Sequence, residues 1–243
     1  MDNRVAPLYR CMWHDYELYK GESRLTLRMG FNMYGVHGSA VPSVGTANKP
    51  EYILEHMGGT VEILRLMFSY VPQLQRGLDV ALAYEIAHLH DIGEPLTGGD
   101  MVDDGTRNEA EKDSAELAAF RDFVAQLPST TRNRLIDGFQ QFQEKSTKLG
   151  RLIYCADKSE AVAQGLVYAR AGFSGNANFK QKHFDGVSDQ DRACMAITGT
   201  KELAPNWALH LKQRIIDFPE APHFLNFIRA GFESVYGYIP TYL

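Results

Sequence analysis

An all-α fold is what this sequence predicts, and three observations carry that expectation. Several long stretches repeat apolar residues every three or four positions, the period of a helix. No stretch alternates apolar and polar residues convincingly over the length of a strand. The most continuously apolar stretch, residues 78–91, is too long for an ordinary strand and runs into an adjacent His90-Asp91 pair, after which Gly93 suits a chain leaving a helix by a left-handed turn.

Taken in order, residues 6–20 hold Leu8, Met12 and Leu18 among aromatic and charged groups and fit a first helix. Gly21, Gly30, Gly35, Gly38, Gly45 and Pro42 then break the pattern into irregular structure. Two readings of that segment stay open. It is either a solvated wrap around the core or a lid in which Phe31 and Tyr34 stack a planar ligand and Arg28 meets its phosphate. Residues 50–71 make a strongly amphipathic helix in which Leu54, Met57, Val61, Leu64, Phe68 and Val71 form one stripe. His56 lies beside that stripe. Gly58 and Gly59 follow it at a cost of roughly 1 kcal/mol each against alanine, which suggests that another element or a ligand packs closely there.

Residues 78–91 are apolar on nearly every side and should lie centrally. Their few polar groups, Glu85, His88, His90 and Asp91, then need partners or a metal. His88 cannot share the face of His90 and reads as a supporting or structural residue. Residues 101–112 are polar and loop-like. Two helices follow, one carrying Leu117, Phe120, Val124 and Leu127, the other Leu135, Ile136, Phe139 and Phe142. A long helix over 146–170 buries Leu149, Leu152, Ile153 and Ala156, and Asp157 falls on that apolar face, as a buried ion pair or a metal ligand. Residues 172–204 read as a loop-rich insertion. Two last helices hold Trp207, Leu211 and Ile215, then Phe224, Leu225, Ile228, Phe232 and Val235. The whole, 1–243, is read as one domain.

The balance of residues excludes several classes. A chain of 243 residues with 44% hydrophobic and 23% charged content is ordinary for a globular protein. A net charge of −5 argues against a general nucleic-acid binder. Cys11, Cys155 and Cys194 form no CxxC pair, which excludes a cysteine zinc site and suits a reducing compartment. No apolar run reaches the length of a membrane span and MDNRVAPLYR lacks the core of a signal peptide, so a cytoplasmic location is expected.

The His90-Asp91 pair at a helix exit is a natural cation site, because the helix carbonyls there carry partial negative charge. Two ligands do not hold a metal. The chain also offers His56 before the pair and Asp157 after it, each on its own predicted helix. This order, H…HD…D, resembles the HD-domain superfamily of metal-dependent phosphohydrolases, over residues 50–170. The run HDIGEPLTGGD, 90–100, is similar to the bacterial 5′-deoxynucleotidase branch, with a glutamate three residues after the aspartate and a following T-G-D turn.

The resemblance implies that His56, His90, Asp91 and Asp157 are the metal ligands, that Glu94 is the catalytic carboxylate and that Asp100 contacts substrate. That branch also uses an arginine–aromatic pair ahead of its first histidine, for which Arg28 and Phe31 are the nearest matches. The cofactor implied is one divalent ion, among Co, Mn, Mg, Zn, Fe and Ni. Two imidazoles and two carboxylates would leave open positions on such an ion. Lys112, Lys148 and Arg151 are available to neutralise phosphate, with Lys112 and Arg151 expected at the substrate; the plain alternative for Lys112 is an i,i+4 pair with Glu116.

Residues 92–156 contain no histidine, unlike the two-metal branches of the superfamily. Where phosphodiesterase-like HDIG sequences continue with lysine, this chain has Glu94. The expected activity is hydrolysis of deoxynucleoside 5′-monophosphates. A dNTP triphosphohydrolase on the same compact scaffold would share these residues, and a non-catalytic nucleotide-binding module is the rival from another class. The expected partner is a small-molecule nucleotide, with neither nucleic acid nor membrane, and a homo-oligomer is compatible with the sequence.

Overall fold

The computed structural model describes residues 9–10, 13, 53–93, 109–170, 188–194 and 203–243. Among these the chain forms eight α-helices and one short 3-10 turn, with no strand. The helices are α1 (Ile53–Tyr70), α2 (Val80–Leu89), α3 (Glu109–Phe123), α4 (Ser129–Glu144), α5 (Lys148–Arg170), α6 (Asp189–Cys194), α7 (Leu203–Ile215) and α8 (Ala221–Tyr236). The expectation of an all-α fold is met among the described residues.

Local chemistry sets several of these boundaries. The side chain of Asp79 accepts the Leu82 N–H at 3.0 Å and caps α2. The hydroxyl of Thr147 accepts the Gly150 N–H at 3.2 Å and opens α5 in the same way. Lys145, with φ of 56°, turns the chain left-handedly out of α4, and Gly237, with φ of 65°, does so at the end of α8.

The long helix α5 is the axis of the core. It packs against α1, α4, α7 and α8, and also touches α2. Its Leu152, Ile153, Ala156, Val162, Ala163 and Leu166 are wholly buried. Close approach is built in at Gly150, where an added Cβ would sit 1.9 Å from the Gln141 carbonyl oxygen in α4. That atom is backbone and cannot swing aside. Gly150→Ala is therefore expected to destabilise the fold by about 1–3 kcal/mol or more. Urea unfolding measures this, and an unchanged midpoint would mean that the turn between α4 and α5 opens at little cost.

Three expectations need correction. Helix α1 buries Ile63, Leu66 and Met67 as well as Met57, Leu64 and Phe68 of its expected stripe, so it is enclosed on more than one side, while Val61 is half-buried and Leu54 at its start is exposed. Helix α2 is not enclosed all round. Ala81, Glu85 and His88, spaced by four and three, form a solvent edge, and Glu85 is held there by Arg134 at 2.5 Å. His88 therefore supports nothing at the centre. Leu127 lies past the end of α3 and is exposed, because the helix stops at Phe123.

Within 172–204 the structure places α6, and its Asp191 is a buried anchor for the end of the chain. Asp191 accepts hydrogen bonds from the Tyr238 hydroxyl at 2.8 Å, the Thr241 N–H at 2.7 Å and the Thr241 hydroxyl at 2.9 Å. At the other end, Trp13 is buried against Phe227, with ring centroids 5.6 Å apart.

Candidate metal centre

Each functional side chain is delivered by a different element. His56 stands in the first turns of α1, His90 caps the C-terminus of α2, Asp91 follows in the turn, and Asp157 lies midway along α5. His56, His90 and Asp157 each offer a ligand atom, and these atoms lie within 4.8 Å of one another. Asp91 joins them, its Oδ2 at 3.4 Å from His56 Nε2 and 3.3 Å from His90 Nε2. Asp157 Oδ1 lies 3.3 Å from His56 Nε2 and 3.8 Å from His90 Nε2.

Hydrogen bonds outside the cluster fix how the two imidazoles face it. His56 Nδ1 donates to Glu160 Oε2 at 2.7 Å, with both residues fully buried. His90 Nδ1 donates to the Ala87 carbonyl at 2.8 Å. A carbonyl oxygen only accepts, so the proton of the neutral His90 ring is on Nδ1, and Glu160 sets the same tautomer in His56. Both Nε2 lone pairs then point inward, 3.3 Å apart, from rings set at 69° to each other. Holding a ligand histidine by its outer nitrogen is the usual support of a metal site.

The electrostatics ask for a cation. Burial alone would lower the His56 pKa, but the approach of Asp157, Asp91 and Glu160 holds it well above its ordinary value. His90 is likewise raised, burial being outweighed chiefly by Asp91. Burial would raise both carboxyls, yet His90 and His56 hold Asp91 well below the usual range, and Lys158 with the two imidazoles does the same for Asp157. The Lys158 ammonium sits 2.9 Å from the outer oxygen, Asp157 Oδ2. The inner oxygen, Oδ1, is buried without any hydrogen-bond partner. A buried acceptor left bare beside two inward lone pairs is what a divalent cation would satisfy, and a mixed imidazole–carboxylate set suits the borderline and harder divalent ions. The donor set fits a metal.

A profile described as an HD domain matches residues 43–197. The chain belongs to the HD-domain family. No curated protein and no solved structure matches it significantly. HD-domain membership implies a metal-dependent phosphohydrolase, and the buried cluster of His56, His90 and Asp157 is consistent with that class.

Other expected site residues fall differently. Glu94, Asp100, Arg28 and Phe31 lie outside the described residues. Lys112 makes the i,i+4 pair with Glu116, at 3.4 Å. That pair stands near the centre, because Gly93 packs against Glu116: a Cβ there would meet the Glu116 Cα and carbonyl oxygen at 3.3 Å. Burial, helped by the Asp91 charge, raises the Glu116 pKa against the pull of Lys112. Arg151 is given another partner. Its guanidinium holds Glu220 through two bonds of 3.0 and 3.1 Å, clamping α5 to the start of α8. It was expected at the phosphate because a cation near a metal helix suits an anion; the buried Glu220 carboxylate claims it.

Two supporting placements escaped the sequence reading, Glu160 behind His56 and Glu116 beside Asp91, whereas the ion pair expected as one reading of Asp157 is made with Lys158. Glu160 had a readable signal. It follows Asp157 by three residues and so shares its face.

Proposed function

We propose that this HD-domain protein hydrolyses phosphate esters of nucleotides, taking deoxynucleoside 5′-monophosphates to deoxynucleoside and phosphate. The observation that carries the hydrolytic reading is the convergence of two Nε2 lone pairs and two carboxylates on one buried point, with Asp157 Oδ1 left without a hydrogen-bond partner. The nucleotide part rests on the likeness of HDIGEPLTGGD to 5′-deoxynucleotidases.

A divalent cation held by His56, His90, Asp91 and Asp157 supplies positive charge for a phosphoryl group and lowers the pKa of water. The chain does the rest. Glu160 and the Ala87 carbonyl hold both imidazoles by Nδ1 and turn each Nε2 inward. Lys158 occupies the outer oxygen of Asp157, so that carboxylate presents a single atom to the centre. Asp91 is the most open of the four, its side chain 18% exposed, and marks the side from which substrate enters. Glu94, three residues beyond it, is assigned as the group that takes the proton from attacking water or returns it to the leaving oxygen.

The test is a panel. Protein stripped by chelation and reloaded with Mn²⁺, Co²⁺ or Mg²⁺ is given nucleoside mono- and triphosphates of both sugars. Phosphate from deoxynucleoside monophosphates, lost again on chelation, is the expected result. Triphosphate released from dNTPs would move the assignment to a dNTP triphosphohydrolase. Nucleotide binding with no turnover under any metal would leave a non-catalytic nucleotide-binding module, and equal efficiency on AMP and dAMP would remove the deoxy preference.

A further inference from the structure

On α3 an ion pair leans against the metal centre. Lys112, Glu116 and Phe120 stand at i, i+4 and i+8 and share one face of that helix. Exposure rises along the face: Phe120 is wholly buried, the Glu116 side chain is 17% exposed and that of Lys112 is 35% exposed. The face thus runs from the core out to solvent. Contacts hold it beside the ligands. At its inner end Phe120 stacks on Phe139 of α4, with ring centroids 4.2 Å apart. Further along α4, Phe142 meets the ring of His90 edge-on, with centroids 5.4 Å apart. The next residue, Gln143, donates its side-chain amide N–H to the Asp113 carbonyl of α3 at 2.8 Å. Gly93, two residues after Asp91, lies so near Glu116 that a Cβ there would meet the Glu116 Cα at 3.3 Å.

Glu116 therefore stands next to the turn that carries Asp91, the most open of the four ligands. Burial and the Asp91 charge both oppose its ionisation, and Lys112, at 3.4 Å, favours it. An ordinary i,i+4 pair lies in solvent and adds little to stability. Setting its carboxylate against a metal turn makes it no better as a helix pair, but it does fix where the ammonium sits. The other two cations considered for phosphate are drawn elsewhere: Lys148 donates to the Arg76 carbonyl at 3.0 Å, and Arg151 holds Glu220.

We propose that the Lys112 ammonium binds a phosphoryl oxygen of the substrate on the open, Asp91 side of the centre, and that Glu116 is the positioning residue that holds it there. The assignment rests on the phosphohydrolase reading given above. A phosphate monoester carries about −1.5 to −2 charges at neutral pH, spread over three acceptor oxygens. A cation beside the metal shares that charge and strengthens its hold on the group as the ester bond breaks. An ammonium has three N–H donors, so it can meet a phosphoryl oxygen while it keeps Glu116. Lys112, Glu116 and Asp91 all reach solvent, so the contact forms at the mouth of the site.

The test measures inorganic phosphate binding by calorimetry and dAMP turnover in Mn²⁺-loaded wild type, Lys112→Met, Lys112→Arg and Glu116→Gln, with bound metal and melting temperature read on each. Lys112→Met should bind phosphate about tenfold or more weakly, the effect of a lost charged hydrogen bond, and kcat/KM on dAMP should fall by a similar factor. Lys112→Arg, which keeps the charge, should stay within about threefold. Glu116→Gln keeps the lysine but loosens it, and should weaken phosphate binding by about threefold to tenfold with its melting temperature held or raised. Bound metal should be unchanged in all three. Unchanged phosphate affinity in Lys112→Met, or a loss matched by loss of metal, would leave an ordinary helix pair and overturn the assignment. Weakened binding in Lys112→Met with none in Glu116→Gln overturns the positioning role alone. A wild type that binds phosphate through Lys112 yet releases none from dAMP keeps the contact and removes the nucleotidase reading. A wild type that neither binds phosphate nor turns over removes both.

Discussion

Asp157→Asn is expected to empty the metal centre and to bring phosphate-ester hydrolysis down to background while the helical fold persists. Asparagine has nearly the volume of aspartate, so α5 keeps its packing against α1 and α7. What disappears is the negative charge facing His56 Nε2 at 3.3 Å. A divalent ion among two neutral imidazoles and one remaining carboxylate is held by less charge, and affinity for such ions depends strongly on ligand charge. Lys158 loses the Asp157 charge, but its side chain is 30% exposed and water solvates it at modest cost. Metal content by plasma emission, activity and far-ultraviolet circular dichroism on one preparation give the three readings. Wild-type metal occupancy in the variant would remove Asp157 from the ligand set. Loss of helicity together with the metal would make the residue structural first.

The parts of this site that were legible in the sequence are those where a polar residue interrupts an apolar pattern. His56, His90 and Asp157 each stand among core residues, and a histidine or aspartate there needs a reason. The pairing of His90 with Asp91 at a helix exit made a cation the natural reason. The helices themselves were legible because their apolar period is strong. Lys-Ser-Glu reads as a solvated segment unless the three-residue spacing from Asp157 is used to place Glu160 on the buried face, and its contact with His56 on a distant helix is what the spacing cannot show. Arg151 shows the opposite limit: its charge suggests a phosphate, while its partner Glu220 lies 69 residues away and is not readable as a contact. The exposed edge of α2 was missed because alanine counts as apolar wherever it stands, and Ala81 sits at the surface. Local pattern thus revealed which residues are anomalous; long-range pairing decided what each of them does.

Glu160→Gln should weaken metal binding by about 10–100-fold without removing any ligand, the usual effect of altering the support behind a metal histidine. The glutamine amide oxygen can still accept the His56 Nδ1–H, so ring orientation survives in large part. The negative charge that makes Nε2 a stronger donor is gone. Glu160→Ala should be worse, because the buried Nδ1–H then has no acceptor and the ring is free to turn or to shift its proton to Nε2, where it blocks the lone pair. The order wild type, Glu160→Gln, Glu160→Ala in falling affinity is the signature of support acting through His56. Competition with a chromophoric chelator gives the three dissociation constants. With metal at saturation, Glu160→Gln should recover most of the wild-type kcat, since the groups that meet substrate are untouched. Unchanged affinity in both variants would mean that His56 is not a ligand, and that the 2.7 Å bond to Glu160 serves only to satisfy a buried histidine.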